Sequence, residues 1–110
     1  MESVLIESDK NVGKKLNDIV YLEFDSNFTK AHYFTGEVFI IENNFKKIEE
    51  SLPDEKFFRV NESSVINADY LKKIKVSTSK NVLMQKGIEI NISQNRYSEL
   101  IEFMKIKYCI

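Results

Sequence analysis

The stretch Phe57–Asn67, "FFRVNESSVIN", decides how this chain is read. Phe57, Phe58, Val60, Val65 and Ile66 are core-filling side chains, and aromatic and β-branched residues favour strands. Between them sit Arg59, Asn61, Glu62, Ser63 and Ser64. Two apolar runs broken by a short polar cluster predict two strands joined by a turn. "FFRV" and "SVIN" are the strands and "NESS" is the turn. Its polar side chains can satisfy the turn's own backbone groups or face a ligand.

The same grammar runs outward in both directions. Upstream, "IVYLEF" (Ile19–Phe24), "KAHYFT" (Lys30–Thr35) and "EVFII" (Glu37–Ile41) read as strands. The turn "DSN" separates the first two, and Thr35-Gly36 closes a hairpin between the last two. Downstream, "KIKVST", "NVLMQ" and "IEINI" follow, with turns at "STSKN" and "KGIE". Lys86-Gly87 suits a tight hairpin turn.

Two helices interrupt the strands. "NNFKKIEESLP" opens on Asn43 and Asn44 as caps, carries Phe45, Ile48 and Leu52 on one face, and stops at Pro53. "SQNRYSELIEFMKIKY" has Ser93 as its cap and a stripe of Tyr97, Leu100, Ile101 and Met104. Both stripes read as core contacts. The expected fold is mainly β, one domain over residues 4–104 with a short tail at 105–110.

Bulk composition narrows the function. The 110 residues suffice for one core, and three glycines and one proline leave no flexible linker. No apolar run is long enough to span a bilayer, and the acidic, mixed start "MESVLIESDK" is unlike a signal peptide. The single cysteine, Cys109, excludes a disulfide framework within the chain, so a cytoplasmic, reducing home is expected. Net charge is -1 but uneven. Residues 1–60 hold eight Lys/Arg against twelve Asp/Glu, and residues 61–110 hold eight against five. A basic second half of this kind is either a solvated face or a phosphate-binding one.

Catalytic signals are sparse. His32 stands alone in a strand with no oriented partner legible, and Cys109 sits at the chain end. The pairs Glu49-Glu50 and Asp54-Glu55 lack metal-loop spacing, and glycines at 13, 36 and 87 make no phosphate loop. No enzyme activity, metal or cofactor is expected.

Three segments in order, "LNDIVYLEFDSNF", "NFKKIEESLPDEKFFRVNESSVINADYLKKI" and "KGIEINISQNRYSELIEFM", resemble a LytTR-type DNA-binding domain. This is the output module of LytR/AlgR-type bacterial response regulators. The most specific part is a short helix ending in "LP", then "FFRV", polar residues, "VIN" and an aromatic-Leu-Lys-Lys-Ile tail. The resemblance implies an elongated fold of small stacked antiparallel sheets with a short central helix and a C-terminal helix. It implies sequence-specific binding of double-stranded DNA in transcription control, with loops in the major groove. Two copies are then expected on a direct repeat, as a homodimer on DNA, with no membrane involved. The family's usual receiver domain is not expected here, because only residues 1–15 precede the first matching segment.

The resemblance places three bends on the DNA-facing edge: Asp25-Ser26-Asn27, Asn61-Glu62-Ser63 and Gln94-Asn95-Arg96. The residues implied to contact DNA are Asn27, Lys30, Asn61, Ser63, Lys80, Gln94, Asn95 and Arg96. Where the family commonly has His or Arg, this chain offers Asp25, Asn61, Glu62 and a single Arg96. Asn and Gln can pair with adenine and Glu can accept from cytosine, but Asp25 and Glu62 repel phosphates. Asn61 and Ser63 have turn-satisfying roles open to them as well, and Lys30 and Lys80 have solvent. The alternative function is a protein-interaction module on the same scaffold, its DNA binding weakened or lost.

Overall fold

A computed structural model of the chain describes residues 2–5, 16–25, 28–42 and 45–108. Asn27, the expected caps Asn43 and Asn44, and Cys109 lie outside the described residues. Strands dominate, with two α-helices and three short 3-10 turns among the described residues. The chain forms two compact units, Met1–Leu52 and Pro53–Ile110.

The first unit holds β1 (Glu2–Leu5), β2 (Ile19–Asp25), β3 (Phe28–Tyr33), β4 (Val38–Glu42) and α1 (Phe45–Glu50). β2, β3 and β4 form an antiparallel meander, and β1 adds alongside β4 in parallel, Glu2 opposite Val38. β1 is a strand that the apolar pattern does not single out. The second strand of the expected hairpin pair starts and ends two residues earlier than "KAHYFT", for a local reason. Tyr33 N donates to Glu37 O and Gly36 N to Tyr33 O, each at 2.9 Å, so Phe34–Glu37 are taken by the turn. Gly36 sits at φ +97°, where a side chain is disfavoured.

Alternation along β3 buries Thr29, Ala31 and Tyr33, as a strand with one packed face requires. Ile19, Val20, Leu22, Phe39 and Ile41 complete the core of this unit with Phe45 and Leu52 of the α1 region. Phe45 tilts against Phe24 at 4.8 Å. After α1, Ser51 N and Leu52 N bond to Ile48 O and Glu49 O, closing the segment just before Pro53.

Tyr33 carries a pH signature. Burial first, then the Asp18 and Glu37 carboxylates, push its phenol from 10.0 up to about 12. Its hydroxyl and that of Thr29 are buried with no hydrogen-bond partner among the described residues. The fold prefers the neutral phenol, so this contribution is complete below pH 10 and is lost as pH rises towards 12. The whole window is worth about 3 kcal/mol. Tyr33→Phe is expected to flatten that alkaline loss and to leave stability at pH 7 unchanged or slightly raised, since no hydrogen bond is removed. Denaturant unfolding at pH 7 and pH 11 checks it; an equal alkaline loss in the Phe variant would refute the assignment.

The second unit holds β5 (Phe57–Asn61), β6 (Ser64–Asn67), β7 (Leu71–Val76), β8 (Lys80–Met84), β9 (Glu89–Asn91) and α2 (Gln94–Tyr108). β5 and β6 are the hairpin foreseen in "FFRVNESSVIN", with Asn61 opposite Ser64 and only Glu62-Ser63 between. β6 is buried along its whole length. At its end Asn67, fully buried, accepts the Asp69 backbone N–H at 2.9 Å and caps the turn Ala68–Tyr70.

β7, β8 and β9 form an antiparallel sheet in which Ile74, Val82 and Ile90 stand in one cross-strand row. The loop Gln85–Gly87 joins β8 to β9, with Lys86 at φ +71° and Gly87 at φ +79°. That is the tight turn expected at Lys86-Gly87, closed by Met84 N to Ile88 O at 2.7 Å. On α2 Leu100 is fully buried, while Tyr97, Ile101, Phe103 and Met104 are half-buried. Phe103 tilts against Phe58 at 5.2 Å and helps seat the helix on β5. Among the described residues no helix is long and apolar enough to cross a membrane.

Candidate nucleic-acid interface

The polar middle of the opening stretch has a definite geometry. Asn61 Oδ1 accepts the Ser63 backbone N–H at 2.8 Å, with the Ser63 hydroxyl at 3.3 Å, so the Asn61 side chain shapes the two-residue turn. Asn61 Nδ2 donates to Asn91 O at 2.7 Å and ties the turn to the end of β9. Arg59 supports the bend from within: its Nε donates to Asn61 O at 3.1 Å and its Nη2 to Glu62 O. Glu62 and Ser63 remain exposed at the tip.

The start of α2 is stitched to the same strand. Ser93 N donates to Val60 O at 2.9 Å, and the Ser93 hydroxyl lies 3.2 Å from that oxygen and 2.9 Å from Asn95 Oδ1. Ser93 thus anchors the helix to β5 through its side chain. Its carbonyl accepts Arg96 N at 2.9 Å. Arg96 adds a second anchor, with Nε donating to Arg59 O at 2.9 Å. Its guanidinium lies 4.5 Å over the Phe58 ring and pairs with Glu99. Gln94 and Asn95 stay exposed in the first turn.

Lys80 reaches this edge from β8. Its Nζ lies 5.2 Å over the Tyr97 ring, and its carbonyl accepts Ile92 N at 2.8 Å and Asn91 Nδ2 at 3.3 Å. The second unit therefore brings together Asn61, Ser63, Lys80, Gln94, Asn95 and Arg96, six of the eight residues expected from sequence. Lys30 belongs to the first unit, half-buried on β3 opposite Glu23 and Ile40. Asn27 lies outside the described residues. Asp25 ends β2 and is exposed.

Arg59 and Asn91 join the cluster without having been singled out in the sequence. Arg59 reads there as one residue of a strand, and only its side-chain bonds show it organising the bend. Asn91 needs the β8–β9 register to be placed. His32, the lone histidine, lies in the first unit; its ring stacks on Tyr21 at 4.1 Å and its Nε2 is 2.8 Å from Glu23 Oε1. Burial, then the nearby Glu23 charge, raise the Tyr21 phenol.

The comparisons with known proteins agree with this architecture. The model of the LytTr DNA-binding domain matches residues 9–105. The sensory transduction protein LytT of Bacillus subtilis (strain 168) is 28% identical over 107 residues, covering 96% of this chain and 41% of that protein. The chain thus spans about two fifths of that relative's length. A solved LytTr DNA-binding domain from Bacillus cereus superposes with a TM-score of 0.71 at 20% identity, over 81% of this chain and 83% of that one. The mainly β fold, with its short helix and C-terminal helix, is shared with that structure. The family is non-enzymatic and acts by binding DNA in transcription regulation. The chain belongs to the LytTr DNA-binding domain family.

Proposed function

We propose that the chain binds double-stranded DNA in a sequence-specific manner in bacterial transcription control, with turns and the start of α2, not a recognition helix, entering the major groove. The observation that carries this reading is the joined polar edge of the second unit. There the Asn61–Ser63 turn is tied to the β9–α2 junction by Asn61 Nδ2 to Asn91 O at 2.7 Å. The exposed amide of Gln94 is suited to adenine, and the exposed Glu62 carboxylate to the cytosine amine. Asn95, whose Oδ1 accepts the Ser93 hydroxyl at 2.9 Å, offers its Nδ2 as a donor. Asn61 spends its Oδ1 on the turn and its Nδ2 on Asn91 O and so shapes the edge, while Ser63 stands exposed at its tip. Lys80, and Lys30 and Asn27 in the first half of the chain, supply contacts to phosphate or base. Two copies then occupy a direct repeat.

Selection from a random duplex pool at two salt concentrations tests this. An enriched motif with a repeated half-site is expected, with log affinity falling linearly as log salt rises. A pool that enriches nothing at the lower salt overturns the reading.

A second reading has its own observation. Both guanidinium groups at this edge, Arg59 and Arg96, are engaged inside the protein, while Glu62 and Asp25 are exposed acids. That pattern favours a protein-interaction module with reduced DNA affinity. Under it the unsubstituted chain shows no shift, and Asp25→Asn with Glu62→Arg creates one.

A further inference from the structure

The sheet β7–β9 has a second face that the reading above leaves unused. Register places Lys73, Leu83 and Glu89 in one cross-strand row and Lys75, Asn81 and Asn91 in the next. This face is the outward one: Lys73, Lys75, Glu89 and Asn91 are exposed, and Ile74, Val82 and Ile90 point the other way. Lys75 pairs with Glu89 at 3.0 Å. Asn91 Nδ2 donates to Lys80 O at 3.3 Å and to Asn81 Oδ1 at 3.4 Å, so both its N–H groups are used within the sheet. Asn81 Nδ2 gives one N–H to Ser79 Oγ at 3.3 Å and keeps the other. Asn91 O accepts Asn61 Nδ2, so the row runs without a break into the Asn61–Ser63 turn.

Asparagine is depleted in strands, where threonine or valine packs better on a pleated surface. Two aligned asparagines on an open face depart from that preference, and local rules of this kind are broken chiefly at functional sites. The remaining Asn81 N–H, with the Lys73 and Lys75 ammonium groups on the same face, makes a donor and cations suited to phosphate oxygens. Strands about 4.8 Å apart give the row from Lys75 to Asn91 a width of about 10 Å.

We infer that Lys73, Lys75 and Asn81, joined to the turn through Asn91, form a strip that follows the sugar–phosphate backbone of the same duplex whose bases meet the adjoining turn. The inference rests on the DNA-binding reading and extends its contact surface across the sheet. It positions the duplex and carries no base preference.

The test uses the full chain and the duplex selected above, with fluorescence anisotropy at two salt concentrations and thermal unfolding in parallel. Asn81→Val is expected to weaken binding about fivefold, with the selected motif unchanged and the unfolding midpoint little altered. Lys73→Ala with Lys75→Ala is expected to make the salt slope shallower by about 1.8, the share of two phosphates. Unchanged affinity in the first variant and unchanged slope in the second, while the unsubstituted chain binds, overturn the strip alone. A lower midpoint in the Asn variant with an unchanged slope in the Lys variant also overturns it, since the amides are then structural. An unsubstituted chain that binds no duplex overturns both the strip and the reading beneath it.

Discussion

Arg96→Ala is expected to lower affinity for the selected duplex by about one to two orders of magnitude and to reduce folding stability by about 2 kcal/mol. The two losses share a cause. Arg96 Nε donates to Arg59 O, and the guanidinium covers Phe58 at 4.5 Å, so truncation strips a charge-assisted bond and a cation–π contact together. It also removes one of the links that hold the start of α2 beside the Asn61–Ser63 turn. Arg96→Lys keeps the charge but not the planar fork, so it should retain most of the salt dependence while losing much of the stability. Denaturant unfolding beside anisotropy separates the contributions. A stable Ala variant with full affinity would remove Arg96 from both roles.

Leu100→Ala is expected to have the largest effect on folding, about 3 kcal/mol. Leu100 is fully buried on the face of α2 that packs within the second unit, and alanine there leaves a void that close-packed neighbours only partly fill. Ile106→Ala on the same helix should change stability by less than about 0.5 kcal/mol, because Ile106 is 80% exposed. Urea midpoints of the pair check the contrast. A small difference between them would mean that α2 is not seated as described. Since α2 carries Gln94, Asn95 and Arg96, the Leu100 variant should also bind DNA more weakly at temperatures where the unsubstituted chain is fully folded.

Much of this was legible in the residues. The hairpin around Asn61–Ser63, the tight turn at Lys86-Gly87 and the stripe containing Leu100 all follow from apolar periodicity and turn chemistry. The order of three segments pointed to the family, and the match over residues 9–105 bears that out. What stayed hidden depends on register or on long-range partners. β1 is four residues long and its partner β4 lies more than thirty residues away, so no local pattern marks it. The placement of β3 turned on which carbonyls close the β3–β4 turn. Arg96 reads in the sequence as a free cation at a helix start, yet its side chain is spent on Arg59, Phe58 and Glu99. The alignment of Lys75, Asn81 and Asn91 appears only once strand pairing is fixed.

The carbonyls of Arg59 and Val60, next to each other in β5, are both occupied by groups from the α2 start. A helix held this way cannot swing without breaking both bonds to a core strand, so turn and helix are coupled as one stiff plate. On the proposed DNA-binding reading, a double helix arriving there meets a contour already cast. Little chain has to freeze on docking, which spares the complex an entropic penalty and leaves orientation, not folding, to set the speed of capture.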